Sequence, residues 1–120
     1  MAKKIDTETL LSEFKLAKSD LEQKLYELDQ AEDAYNKSLI TLEDLRLFYH
    51  KALREYIINS REPYSTRESD ARESYSNQLD KVRLKKRDLN KKSYAAKKAE
   101  KVYNKLKAAI KRNEENLQKQ

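Results

Sequence analysis

Phe14, Leu21, Leu28, Tyr35, Leu42, Tyr49 and Tyr56 recur every seven residues without a miss, and Tyr75, Val82, Leu89, Ala96, Tyr103, Ile110 and Leu117 do the same in the second half. Apolar heptads sustained this long specify helices supercoiled about one another, because the repeat keeps one seam turned toward a partner. The polar composition, 40% charged and rich in Lys, Glu and Ser, would by itself point to disorder. A disordered chain has no cause to keep register through seven heptads. The chain reads as helical.

Only one stretch interrupts the pattern: Asn59-Ser60-Arg61-Glu62-Pro63-Tyr64. Proline lacks an N–H and turns the residue before it away from the α region, so a first helix should stop near Ile58. The S-x-x-E pair Ser65 and Glu68 reads as the capping box of a second helix. At the other end, Asp6 is the expected cap, with Ile5 and Leu10 placed as a hydrophobic staple. The expectation is an all-α, antiparallel two-helix coiled-coil hairpin in one domain, 1–120: helix 1 about 7–58, a turn at 59–65, helix 2 about 66–118. Each helix would be roughly 78 Å long at ~1.5 Å rise per residue.

The heptads also propose a register. Pairing Phe14 with Ile110, Leu21 with Tyr103, Leu28 with Ala96, Tyr35 with Leu89, Leu42 with Val82 and Tyr49 with Tyr75 keeps the paired numbers at a constant sum whose midpoint is Glu62, inside the break. The intervening layer then sets Leu45 against Leu79, Ala31 against Ser93 and Lys24 against Glu100. The same register puts Ser38 against Lys86 and Ala17 against Lys107, so several layers bury little apolar surface. Leu25, Leu39 and Leu53, in a fourteen-residue series with Leu11, are read as thickening the seam from beside it. Ile40 and Leu47 fall on the far side, with Phe48 next to them, and read equally as a partner-facing patch or as ordinary exposure. So thin a core would gain from a partner or from self-association.

Composition excludes much chemistry. The absence of glycine removes phosphate-cradling loops of the P-loop and dinucleotide-binding types. The absence of cysteine removes disulfides, thiol nucleophiles and cysteine-ligated zinc. A single histidine, His50, reads as a surface residue. No nucleophile has an orienting base and no carboxylate pair stands apart from lysine, so no enzyme, cofactor or metal site is expected. No apolar stretch nears the ~20 residues of a membrane span, and no apolar core follows Met1 to Lys4, so a cytoplasmic location is expected.

Charge is strongly segregated. Residues 1–60 carry 9 basic and 12 acidic side chains, whereas residues 61–120 carry 18 and 9. Between Lys81 and Arg112 there are 14 basic residues against Asp88 and Glu100 alone. Glu13, Asp20, Glu22, Glu27, Asp29, Glu32, Asp33 and Glu43 of the first helix would answer part of this tract, through exposed pairs worth little each. The surplus, at Arg83, Lys85, Lys86, Arg87, Lys91, Lys92, Lys97, Lys98 and Lys101, is the candidate basic face for an acidic partner. Nucleic acid would accept such a helix through phosphate contacts. However, no basic-zipper or helix-turn-helix arrangement is present, and Tyr94 and Tyr103 are not spaced as a stacking platform. A long basic hairpin also resembles the arms of curvature-sensing F-BAR-type scaffolds, which are longer and have an extensive dimer core. The plain alternative is a solvated face that keeps a coiled coil soluble. Of the tyrosines, Tyr35, Tyr49, Tyr56, Tyr75 and Tyr103 belong to the seam, Tyr64 to the turn, while Tyr26 and Tyr94 are the better partner contacts.

Two near-equal antiparallel helices without glycine, a Tyr- and Leu-bearing first arm and a basic second arm resemble the central-stalk family of type III secretion systems, the FliJ/YscO-type family of flagella and injectisomes. Leu39–Tyr49 (LITLEDLRLFY) and Ala99–Leu106 (AEKVYNKL) carry the likeness. It is one of architecture and pattern along almost the whole chain. The resemblance implies a fold similar to the coiled coil of the rotary ATPase γ subunit. It also implies insertion into a hexameric secretion ATPase, stimulation of its assembly and hydrolysis, and a link to the export gate. Some members are described as binding export chaperones. The competing expectation is a coiled-coil scaffold or secretion chaperone that covers a partner's helix. A stalk should be monomeric alone and bind one copy per hexamer; a scaffold or chaperone should dimerise or form a stoichiometric complex.

Overall fold

The computed structural model describes residues 7–118. Two helices, α1 (Thr7–Ile58, 52 residues) and α2 (Tyr64–Gln118, 55 residues), pack against each other as an all-α helical hairpin. The expected cap at Asp6 and its Ile5 staple lie outside the described residues; Leu10, the other half of the staple, is buried. α1 ends where the heptads end, its last turn continued by Asn59 N–H bonding the Glu55 carbonyl. The turn is two residues tighter than expected. Asn59 Oδ1 accepts from Arg61 N–H, the Glu62–Pro63 peptide is cis, and Tyr64 N–H bonds back to the Arg61 carbonyl at 3.0 Å.

The start of α2 departs from the expected capping box. Glu62, not Ser65, closes it: the Ser65 hydroxyl donates to Glu62 Oε1 and the Thr66 hydroxyl to Oε2. Glu68 is buried and sits 3.9 Å from Arg72. Proline at the helix start sets this arrangement, because it puts Glu62 directly before the first turn, where a carboxylate meets free donors and the positive end of the helix. The Ser65 hydroxyl, and after it that of Thr66, hold the Glu62 carboxyl below its ordinary value of 4.5. A carboxyl lowered on folding binds fewer protons in the native than in the unfolded state. Its contribution is therefore complete above about 4.5 and is lost as the pH falls through that value and below. In Glu62→Gln, amide exchange over Ser65–Glu68 is expected to be faster at neutral pH than in the parent, and the difference should shrink below pH ~4 as the parent loses its charged cap.

The hairpin divides into two compact units: one of Gln30–Asn90, and one made of the described residues of Met1–Asp29 and Lys91–Gln120. In the turn unit, Ala31, Ser38, Ala52, Glu68, Ala71 and Gln78 are buried, and Tyr35, Leu42, Leu45, Tyr49, Tyr75, Val82 and Leu89 are half-buried. Tyr49 and Tyr75 stack at 6.1 Å, as the heptads propose. Gln78 Nε2 donates to the Ser38 carbonyl at 2.9 Å, and Lys86 lies 5.1 Å over the Tyr35 ring. In the terminal unit, Leu10, Ala96 and Ala99 are buried and Phe14, Leu21, Leu28, Lys92, Tyr103, Leu106 and Ile110 are half-buried. There Phe14 stacks on Tyr103 at 5.0 Å, not on Ile110, and Asn113 Nδ2 donates to Thr7 Oγ1 at 3.0 Å.

These contacts correct the register. The Tyr75–Ile110 row faces the seam as expected, but the second row of α2 runs Ala71, Gln78, Lys92, Ala99, Leu106, with Asn113 at its end. In the expected row Arg72, Lys86, Glu100 and Lys107 are exposed, and only Leu79 and Ser93 are half-buried. Ser38 therefore meets Gln78, not Lys86. Lys24 pairs with Glu27 on its own helix at 4.0 Å, not with Glu100, and Glu27 in turn lies 3.9 Å from Lys92. The reason is electrostatic. The expected register would have drawn four charged groups, Arg72, Lys86, Glu100 and Lys107, into the seam, where burial costs several kcal/mol each unless paired. The observed row places Ala71, Gln78, Ala99 and Leu106 there instead; of its two lysines Lys85 stays exposed and Lys92 is answered by Glu27 at 3.9 Å. Leu11, Leu25 and Leu39 are correspondingly left exposed, and of that series only Leu53 is half-buried; Leu117 is exposed as well. Among the described residues no large side chain is fully buried.

Candidate protein-binding surfaces

The seam rows of α2 define its outer side, since residues advance ~100° each around a helix. In the terminal unit that side carries Lys91, Lys97, Lys98, Lys101, Lys105, Lys111 and Arg112, all exposed. Tyr94 stands among them, 66% exposed, with Lys98 Nζ 5.6 Å over its ring. No carboxylate shares this side from Lys91 to Arg112, because Glu100 lies toward the seam's flank. Cations held on a rigid helix at three- and four-residue spacing project one sign of field, which suits an acidic surface and costs little ordering on contact.

The nine basic residues singled out in the sequence do not form one face. Lys91, Lys97, Lys98 and Lys101 lie on the outer side of the terminal unit. Arg87 and Arg83 lie on that of the turn unit, where Arg83 is 3.6 Å from Asp80. Lys85, Lys86 and Lys92 turn toward the seam instead: Lys86 over Tyr35, Lys92 beside Glu27, and Lys85 at a groove with Ser38, Gln78 and Leu84. The sequence reading also missed Lys105, Lys111 and Arg112. They stand out once Ala99 and Leu106, rather than Glu100 and Lys107, are taken as the second row of α2 in the terminal unit.

Ile40, Leu47 and Phe48 are more than half exposed, Ile40 and Leu47 on the side of α1 opposite its seam. Ile57 and Ile58, at the end of α1, and Leu16 in the terminal unit are more exposed still, and Leu84 in the turn unit is about as exposed as Ile40. Their off-stripe positions gave no periodic signal. Tyr26 and Tyr94 are exposed, and the five seam tyrosines are half-buried, as expected. His50 is exposed, its ring edge-on to Tyr49. Among the described residues no cluster of His, Cys, Asp or Glu could hold a metal ion, and no helix is long and apolar enough to cross a membrane. Compared with known proteins, the chain matches no family model, no curated protein and no solved structure.

Proposed function

We propose that this chain is a non-enzymatic coiled-coil docking protein that engages an acidic protein surface through the outer side of α2. In its specific form it is the stalk of a type III secretion apparatus, binding and stimulating the hexameric ATPase and linking it to the export gate. The supporting observation is the acid-free run of cations from Lys91 to Arg112 on a side that the seam leaves open. A helical hairpin transmits position, and this run supplies attraction and orientation at the contact. The test is a pull-down from native lysate, with and without nuclease, followed by ATPase assays on what is recovered. Recovery of a hexameric secretion ATPase that survives nuclease and is stimulated by the chain is the expected result. Nucleic-acid complexes that vanish with nuclease would overturn it.

A second reading, a scaffold or secretion chaperone covering a partner helix, is favoured by the outward Ile40 and Leu47. Stoichiometry separates the two: one copy per hexamer for the stalk, an equimolar complex for the scaffold. Binding that is lost in Ile40→Ser/Leu47→Ser but indifferent to salt would select the scaffold, since apolar contacts are not screened.

A further inference from the structure

In the terminal unit an open groove of about 530 Å³ runs along one flank of the helix pair. Leu16, Ala17, Val102 and Leu106 line it; Leu16 is 70% and Val102 51% exposed. Its two rims carry opposite charge. Glu13 and Asp20, one heptad apart, stand on the α1 rim, and Lys105 stands on the α2 rim with Lys98 one heptad before it. None of these four has an ion-pair partner among the described residues. The Thr7–Asn113 pairing sets the acids and the lysines at nearly the same levels along the hairpin.

We propose that this groove is a self-association surface that seats the same groove of a second copy, with the two-fold axis running parallel to the helices. That operator lays the α1 rim of each copy on the α2 rim of the other, so Glu13 and Asp20 meet Lys98 and Lys105 twice over, as an isologous interface requires. An axis across the helices would set acid on acid and lysine on lysine. A single partner helix of one charge would satisfy one rim and oppose the other. A second copy answers both. The apolar floors meet between the rims and form a four-helix layer. This supplies burial that the hairpin lacks, since among the described residues no large side chain is fully buried. The dimer leaves Lys97, Lys101 and Lys111 outside the contact, so the inference does not rest on the acidic-partner reading; a stalk would enter its hexamer as the dissociated monomer, whereas a scaffold would act as the dimer.

The test is sedimentation equilibrium of the full chain across the micromolar range, with circular dichroism to confirm folding. A reversible dimer is expected, weakened by added salt because its rims are exposed. Leu16→Glu should weaken it about tenfold or more. Charge exchange is the sharper arm. Glu13→Lys/Asp20→Lys and Lys98→Glu/Lys105→Glu should each weaken self-association about tenfold or more, and mixing the two variants should restore a heterodimer. A monomer at all concentrations, a dimer indifferent to both reversals, or no recovery on mixing would each overturn the proposal.

Discussion

Lys97→Glu/Lys101→Glu/Lys111→Glu should lose binding to an acidic protein partner by about 100-fold or more, while melting as the parent does. The three lysines lie on the outer side of α2 and are exposed. Reversal removes three attractions and adds three like-charge contacts, a change of several kcal/mol at the partner's surface. Within the hairpin it touches no seam residue, so stability should stay within about 0.5 kcal/mol. Titration calorimetry at two salt concentrations is the direct measurement: the parent's affinity should fall with salt and the variant's should not. The contrasting variant is Lys86→Gln/Lys92→Gln, which takes cations from over Tyr35 and from beside Glu27. It should lower stability slightly and leave partner affinity nearly unchanged. If the seam pair mattered more than the outer three, docking through the outer side of α2 would be wrong.

Ala71→Asp should strongly destabilise the turn unit, lowering its urea midpoint by more than half. Ala71 is 2% exposed in the second row of α2, among the most buried side chains of the turn unit. An aspartate there adds volume and an unpaired charge at once, costing about 3 kcal/mol or more. Small domains hold a net stability of ~5–15 kcal/mol, and a seam this thin belongs at the lower end. Ser74→Asp, three residues on and exposed, should change the urea midpoint little. The comparison tests the corrected register directly. Had Arg72 faced the seam in place of Ala71, as the heptads first suggest, the aspartate at 71 would sit on the flank and cost little.

Much of this fold was legible in advance, and the reason is periodic. Phe14 to Tyr56 announce one helix, Tyr75 to Leu117 another, and Pro63 the break. The Tyr49–Tyr75 stack follows from them alone. The second row of α2 was not legible. Leu79 and Ser93 look as core-worthy as Ala71 and Gln78, and a shift of one helical turn changes which row is buried without disturbing the Tyr75 row. The candidate site inherited that error. Lys86 and Lys92 were counted as a partner surface, whereas Lys105, Lys111 and Arg112 were passed over. The Glu62 cap was hidden for a local reason: Ser65 and Glu68 satisfy a familiar spacing, yet helix entry at Tyr64 puts the serine inside the first turn, where its hydroxyl donates outward.

Sequence alone determined that this chain is two helices with one turn, that its seam is poor in large apolar groups, and that its positive charge gathers in the second helix. Each is a property of spacing or count, and local rules read such properties directly. Tertiary structure decided which row of α2 meets α1 and therefore which lysines face water. It also decided that a groove with one acidic and one basic rim lies open in the terminal unit. Those outcomes turn on how closely two backbones approach and which charges are spared burial, and both are set only when one helix is laid against the other.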